Sequence, residues 1–136
     1  MLSQSKTRKR KALVVDPSST LRASIWMILK EEFEVLTTSS FQEAVEVGGR
    51  EEVDIILAGI DLSPVFYSPL IRNVRKIHPR LPFLFLLGEG VAWEEKLNLP
   101  ICDWLGKPFL VEALREKIQA LLQEKEWEEK SRSPSI

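Results

Sequence analysis

Four apolar runs of the chain end on residues whose types decide what chemistry a shared site could perform. The runs end at Asp16, Gly59, Leu87 and Lys107. In open α/β sheets, ligands and reactive groups lie at the carboxyl ends of the strands, so these positions are expected to converge on one crevice. That crevice would hold a carboxylate and an ammonium group, but Gly59 would bring no side chain to it. The pattern therefore predicts no nucleophile at the central strand end and no enzymatic activity.

Strand and helix patterns alternate five times along the chain, with short links between them. Strands are expected near residues 12–16, 34–38, 53–58, 82–87 and 101–105. The run at 53–58 is almost wholly apolar, as in a strand covered on both faces, and it is expected to end at Gly59. Right-handed crossovers would join such strands into a parallel sheet. The predicted fold is α/β: a single doubly wound five-stranded parallel sheet with helices on both faces.

The expected helices carry local start and stop signals. A serine after Pro17 would cap the first helix, and Ser40 and Glu43 form a capping-box pattern at the start of the second. Gly48 and Gly49 are expected to end that helix. A third helix would begin at 68–69, and a short, poorly patterned one near 92–97. The side chains predicted to face the core are Leu21, Ile25, Ile28 and Leu29, then Leu70, Ile71, Val74 and Ile77, then Val111, Leu114, Ile118, Leu121 and Leu122.

Composition excludes several classes of protein. A chain of 136 residues with 44% hydrophobic residues and a net charge of −1 is typical of one globular domain without a strong overall field. Cys102 is the single cysteine and His78 the single histidine, so an internal disulfide and Cys- or His-rich metal sites are excluded. His78 is expected to be a helix-end residue. No apolar run is long enough to cross a membrane, and a cytoplasmic location is predicted.

The two ends of the chain differ in composition from its middle. Residues 1–10 form a basic tail, which we interpret as a solvated arm, with contact to nucleic acid or an acidic partner as the alternative. Residues 11–124 are the predicted domain, and 125–136 a charged helical extension with a frayed end. The sequence does not tell whether the chain is complete or the front of a longer protein.

Residues from about 12 to 122 resemble a receiver domain of the bacterial two-component response regulators. The resemblance is carried by Leu-Val-Val-Asp at 13–16 followed by Arg22, by the segment at 34–44, by Val-Asp-Ile-Ile-Leu at 53–57, and by Lys107-Pro108-Phe109. It implies a flavodoxin-like sheet of strand order 2-1-3-4-5. It also implies a cis peptide bond before Pro108.

The resemblance also implies a phosphorylation pocket, and this chain departs from most of it. Members of the family hold Mg²⁺ with an acidic pair after the first strand, where this chain has Asp16 and Pro17. Gly59 replaces the phosphoacceptor aspartate, and Leu87 replaces the hydroxyl that ends the fourth strand. Lys107 is retained. The resemblance is therefore to a degenerate pseudo-receiver, with no metal site and no cofactor.

Three functions follow from these residues. The leading hypothesis is a phosphorylation-independent signalling module that acts by protein–protein interaction in a two-component-type pathway. The alternatives are a response regulator phosphorylated at Asp61 or Ser63, and a flavodoxin-like module that binds a small anion or nucleotide. No glycine-rich phosphate loop follows the first strand, which disfavours the nucleotide. Asp16 and Lys107 would form a partly buried ion pair or, alternatively, a residual anion site.

The expected partner surface is also implied by the resemblance. Receivers commonly associate through the face built from the fourth helix, the fifth strand and the fifth helix, and here that region carries Trp93, Trp104 and Trp127. Aromatic residues are enriched at interface hot spots. We expect a protein partner or a homodimer there, with neither membrane nor nucleic acid involved. Trp104 occupies the family's aromatic switch position, with plain core packing as the alternative.

Overall fold

A single parallel sheet organises the protein. The computed structural model describes residues 9–60, 68–88 and 100–132. Its sheet has five strands in the order β2-β1-β3-β4-β5, which confirms the predicted fold class and topology. The strands are β1 (Arg10–Val15), β2 (Phe33–Thr38), β3 (Ile55–Ile60), β4 (Phe83–Leu87) and β5 (Cys102–Gly106). The described helices are α1 (Ser19–Leu29), α2 (Phe41–Arg50), α3 (Ser68–Ile77) and α4 (Val111–Arg132).

The core has two layers because successive side chains of a strand point to opposite faces of the sheet. In β3, Ile55 and Leu57 face one layer, while Ile56, Ala58 and Ile60 face the other. Every residue of β3 and β4 is buried, as expected for strands covered on both sides. The first layer includes buried residues of α1 and α4: Ile25, Leu29, Leu114, Ile118, Leu121 and Leu122. The second includes residues of α2 and α3: Ala44, Ile71 and Val74.

The starts of α1 and α2 are fixed by serine side chains that accept hydrogen bonds from nearby backbone N–H groups, as the sequence predicts. Ser18 caps α1, because its Oγ accepts the Leu21 N–H at 3.1 Å. Ser40 caps α2 and accepts the Glu43 N–H at 3.2 Å. In the expected capping box, the Glu43 carboxylate would accept the N–H of Ser40. Here Glu43 Oε1 accepts the N–H of Ser39 instead, at 3.3 Å. The carboxylate thus satisfies the backbone one residue before the cap.

The expected end of β3 at Gly59 is wrong. The strand begins at Ile55 and passes through Gly59 to Ile60, because β4 pairs Leu86 with Gly59 and Leu87 with Ile60. Its start is also later than predicted. Asp54 lies before the strand, and its carboxylate accepts the Lys11 N–H at 2.7 Å.

The expected stop of α2 at Gly48 and Gly49 is also wrong. The helix continues to Arg50, and the N–H of Glu51 donates to Val47 O at 2.8 Å. The carbonyl of Gly48 lies 2.9 Å from His78 Nε2, just beyond the end of α3. His78 is therefore a helix-end residue, as predicted, and it links α3 to α2.

Two residues predicted to face the core are exposed instead. Ile77 is 66% exposed, and Val111 is 41% exposed. At 3.6 residues per turn, the inward position one turn after Val74 is His78 rather than Ile77. Val111 begins α4 ahead of its first buried residue, Leu114.

The amino-terminal end of β1 is tied to the charged half of α4. Arg10 pairs with Glu126 at 2.6 Å, and Lys125 Nζ lies 3.8 Å from Asp54. Arg10 belongs to β1, so the strand begins at the last residue of the predicted basic tail. The predicted extension after residue 124 is helical to Arg132, continuous with the rest of α4. Tail residues 1–8 and the short helix expected near 92–97 lie outside the described residues.

Arg75 joins α3 to the start of two strands. Its guanidinium donates to Leu81 O at 2.7 and 3.0 Å and to Ile101 O at 3.1 Å, and it lies 5.6 Å from the Phe83 ring centroid. The same group lies 3.6 Å from Cys102 Sγ. Burial raises the pKa of the Cys102 thiol to about 11, against a smaller opposing effect of the Arg75 charge.

None of the helices in the described ranges combines the length and the apolar character that a membrane span requires.

Replacing Arg75 with alanine should destabilise the fold. The Arg75→Ala variant removes both Arg75 hydrogen bonds to the Leu81 carbonyl and leaves the Ile101 carbonyl with the Phe83 N–H as its remaining donor, so we expect a loss of about 2–3 kcal/mol in the free energy of unfolding. Urea denaturation measures it. Lys76→Ala, an exposed neighbour on the same helix, is the control and should stay within about 0.5 kcal/mol of the parent. Equal effects of the two changes would contradict this role of Arg75.

Cys102 should be nearly inert in the folded protein. With a pKa of about 11, only about one thiol in a thousand is ionised at pH 8, and the thiolate is the reactive form. We expect iodoacetamide to modify Cys102 at least about 100-fold more slowly than a free cysteine, which has a pKa near 8.5. The rate should rise with pH and approach the free value in denaturant. Fast native labelling at pH 8, followed by intact mass, would refute the prediction.

Candidate functional site

The sheet register brings the predicted strand ends together. Val15 of β1 pairs with Ala58 of β3, so the following residues, Asp16 and Gly59, are neighbours across the two strands. On the other side, Leu87 of β4 pairs with Gly106 of β5, and Lys107 follows directly. The crevice expected from the sequence is thus formed at the carboxyl edge of the sheet.

Asp16 is the only buried polar or charged residue of the described part of the chain, at 1% exposure. Its Oδ1 accepts the N–H of Ser18 at 2.8 Å, and its Oδ2 accepts from Lys107 Nζ at 2.8 Å. A carboxylate that binds the N–H two residues later is a common turn geometry for Asp. Both oxygens therefore have a donor, as a buried carboxylate requires.

Lys107 reaches this carboxylate from the opposite side of the crevice. Its side chain is 24% exposed, and its backbone N–H donates to Leu87 O at 2.8 Å. The peptide bond to Pro108 is cis, as predicted. The predicted ion pair between Asp16 and Lys107 is formed, and it joins the end of β1 to the segment after β5.

The remaining positions of the expected pocket that the structure describes bring no polar side chain, and Asp61 lies outside the described residues. Gly59 lies within β3, Leu87 is 1% exposed, and Pro17 follows Asp16 directly. Mg²⁺ prefers about six oxygen ligands in octahedral geometry, usually including more than one carboxylate or phosphate oxygen. At these strand ends Asp16 offers a carboxylate that already accepts from Ser18 and Lys107. The described residues therefore do not fit a magnesium site, and in their ranges no three acidic, histidine or cysteine side chains form a metal-binding group.

Trp104 of β5 packs against the sheet. Its ring centroid lies 5.8 Å from that of Phe85, with a tilt of 50° between the rings. The indole Nε1 is buried, and it has no hydrogen-bond partner in the described part of the structure. These contacts fit core packing, and the switch role implied by the resemblance stays a prediction.

An apolar groove runs beside Lys107, between α1 and the start of α4. Its volume is about 540 Å³, and Lys107 is the only charged side chain among its described lining residues. The others are Leu21, Ser24, Ile25, Ile28, Gly88, Pro108, Phe109 and Val111. The sequence analysis missed this groove. The signal available in the sequence was the apolar run Phe109-Leu110-Val111, which precedes the inward-facing residues of α4.

Sequence reasoning also missed two groups that hold Asp16 in place. The backbone N–H of Ser18 binds the carboxylate, and Arg22 Nη1 donates to the backbone carbonyl of Asp16 at 2.5 Å. The Asp-Pro-Ser order was the available signal for the first contact, because Asp commonly accepts from the residue two positions later. Arg22 carried part of the family resemblance, but its spacing alone does not reveal its partner.

The other predicted residues divide into exposed and undescribed ones. Trp127 lies on α4 and is 67% exposed. Asp61, Ser63 and Trp93 lie outside the described residues. The helix that the sequence analysis counts as the fifth is α4, since the expected fourth helix falls in the same undescribed range as Trp93.

Known proteins of similar sequence are response regulators. The cell cycle response regulator CtrA of Brucella ovis is 29% identical over 116 residues, covering 82% of this chain and 50% of that protein. CtrA of Brucella anthropi matches to the same extent. The chain thus spans about half the length of the curated relatives that it matches. No protein-family model matches the chain.

Solved structures of similar fold are receiver proteins. A CheY-like receiver domain protein of Methanospirillum hungatei has a TM-score of 0.76 and 25% identity, covering 88% of this chain and 98% of that one. The chemotaxis protein CheY4 of Vibrio cholerae has a TM-score of 0.71 and 24% identity, covering 83% and 98% of the two chains; this second likeness shows the fold alone. In sequence and fold, this chain therefore resembles the CheY-like receiver domains of response regulators.

Proposed function

We propose that this receiver domain signals by binding a protein, in a two-component-type pathway and without phosphorylation of its crevice. The observation that carries the proposal is the glycine at position 59. Gly59 lies one residue before the carboxyl end of the central strand, at the position where the resemblance places the acceptor aspartate. An acyl phosphate needs a carboxylate oxygen as nucleophile, and glycine has no side chain to supply one.

The surroundings of Gly59 support the same proposal. A phosphoryl group brings strong hydrogen-bond acceptors, which need cations and donors around them. Leu87 has no donor in its side chain, and the charge of Lys107 is already balanced by Asp16 at 2.8 Å. The pocket thus offers neither a metal site nor a free cation in the part of the crevice that the structure describes.

The alternative of a small-anion or nucleotide binder has less support. The groove beside Lys107 has the size of a ligand site, at about 540 Å³. Its lining is mainly aliphatic and aromatic, and a nucleotide would need several donors for its phosphates. We therefore keep protein binding as the proposed function.

Incubation with acetyl phosphate and Mg²⁺ should leave the mass of the intact protein unchanged. The reason is the absence of a carboxylate at position 59, together with the lack of a metal site among the described residues beside it. An authentic phosphorylatable receiver domain, treated in parallel, shows that the reagent is active. Intact mass spectrometry at neutral pH measures the result.

A phosphoryl adduct would contradict the proposal, and variants would locate it. An adduct lost in Asp61→Asn or Ser63→Ala would favour the response regulator phosphorylated at a non-standard residue. An adduct lost in Asp16→Asn would identify the buried carboxylate itself as the acceptor.

For the partner surface, we propose a homodimer that involves the outward face of α4. Trp127 supports this choice, because it is 67% exposed and lies off the buried stripe of Leu114, Ile118 and Leu121. An exposed tryptophan that contributes little to the monomer's core is a common interface anchor. The described part of the fold gives it no other evident role.

The Trp127→Ala variant should weaken self-association at least about tenfold without lowering the melting temperature, because the side chain is already largely in water in the monomer. Sedimentation velocity over a range of concentrations measures the dissociation constant. Gln123→Ala, an exposed residue one turn earlier on α4, is the matched control and should behave as the parent. A parent that is monomeric at all concentrations, or equal affinities for the two variants, would rule out this dimer surface.

A further inference from the structure

The space beside Gly59 is already occupied by the protein's own carboxylate. A Cβ atom built on Gly59 would lie 1.6 Å from Asp16 Oδ2 and 2.6 Å from Asp16 Cγ. Separations this short are not tolerated between non-bonded atoms. Any side chain at position 59 must therefore displace Asp16. Glycine has no Cβ, so the Asp16 carboxylate can occupy this space.

The displaced atom would be the oxygen that carries the ion pair. Asp16 Oδ2 is the acceptor of the Lys107 ammonium, at 2.8 Å. The Asp16 side chain is short and 1% exposed, so it is almost wholly enclosed by the protein. A side chain on β3 would thus separate the ion pair or shift the end of β1.

We propose that Asp16 is a built-in replacement for the acceptor carboxylate, and that Asp16 in this position and glycine at 59 require each other. The carboxylate beside Lys107 comes from the end of β1 instead of β3. Lys107 then has a permanent internal counter-ion, and the crevice is held in a single arrangement. This inference deepens the proposed function, on which it rests, by naming what fixes the state of the same site.

Three further contacts fix the replacement in position. The Ser18 N–H holds the other carboxylate oxygen at 2.8 Å, and Arg22 holds the Asp16 carbonyl. Asp16 N–H also donates to Thr38 O at 3.2 Å. Because the backbone on both sides is tied down, the carboxylate cannot yield by a movement of the chain without losing these bonds.

The test is a set of melting curves in the absence of phosphodonor and metal. Gly59→Ala should lower the melting temperature by about 8 °C or more, because the added methyl group separates a buried ion pair. Gly48→Ala and Gly49→Ala are matched controls, since a Cβ at either position meets nothing within 4 Å. These controls should melt at or slightly above the parent's temperature, because alanine is the better helix former.

The decisive variants exchange the two residues. Gly59→Asp alone should be destabilising, but in an Asp16→Gly background the same change should raise the melting temperature, because the carboxylate can then pair with Lys107 from β3. The proposal is supported if Gly59→Asp lowers the melting temperature of the parent but raises that of the Asp16→Gly variant. It is also supported if the double variant folds when Gly59→Asp alone does not. A double variant no more stable than the less stable of the two single variants overturns it, and so does a Gly59→Ala variant as stable as the Gly48→Ala and Gly49→Ala controls. The experiment is independent of phosphorylation: an adduct on the parent protein would refute the proposed function without changing these melting temperatures.

Discussion

A buried carboxylate constrains the whole carboxyl edge of this sheet. Asp16 is 1% exposed, and a charge in that position is stable only when both of its oxygens are matched by donors. Lys107 supplies one donor from the far side of the crevice, and the backbone of Ser18 supplies the other. Removing one partner of a buried ion pair destabilises the fold by more than the intact pair stabilises it, because the remaining charge is then buried without a counter-ion.

The ion pair depends on the order and register of the strands. Asp16 directly follows β1, and Lys107 directly follows β5, so the pair spans the strand ends of β3 and β4. The carboxylate can lie over β3 because Gly59 has no Cβ there. A glycine inside a central strand weakens it, and such a residue often marks the close approach of another group. In this protein the approaching group is the side chain of Asp16.

The chain thus resembles a receiver in its scaffold, whereas its crevice departs from the phosphorylation pocket that this resemblance implies. The chain keeps the strand order, the lysine after β5 and the cis peptide bond before Pro108. Leu87 and Gly59 stand at the positions where the resemblance places the reactive groups of a phosphorylation site. Fold and function are separable in this way because the fold depends on the two buried layers, whereas phosphoryl chemistry depends on a few side chains at one edge.

Most of the fold was determined by the sequence alone, because it follows from short-range patterns. Apolar runs of strand length predicted the five strands, and the spacing of Ile25, Leu29, Leu114 and Ile118 predicted the buried faces of α1 and α4, all of which the structure confirms. The ends of elements were predicted less well. Pairing with β4 extends β3 through Gly59. This end is set by hydrogen bonds to the neighbouring strand, which the local sequence of β3 does not reveal.

The site was predicted as a set of residue types, and only the tertiary structure decided how they meet. The sequence placed Asp16, Gly59, Leu87 and Lys107 at strand ends and allowed either an ion pair or an anion site. The register and the rotamer of Asp16 selected the ion pair and put the carboxylate in the space of the missing side chain. These are distances between residues that lie 43 and 91 positions apart in the sequence, and they are fixed by packing of the whole sheet rather than by any local pattern.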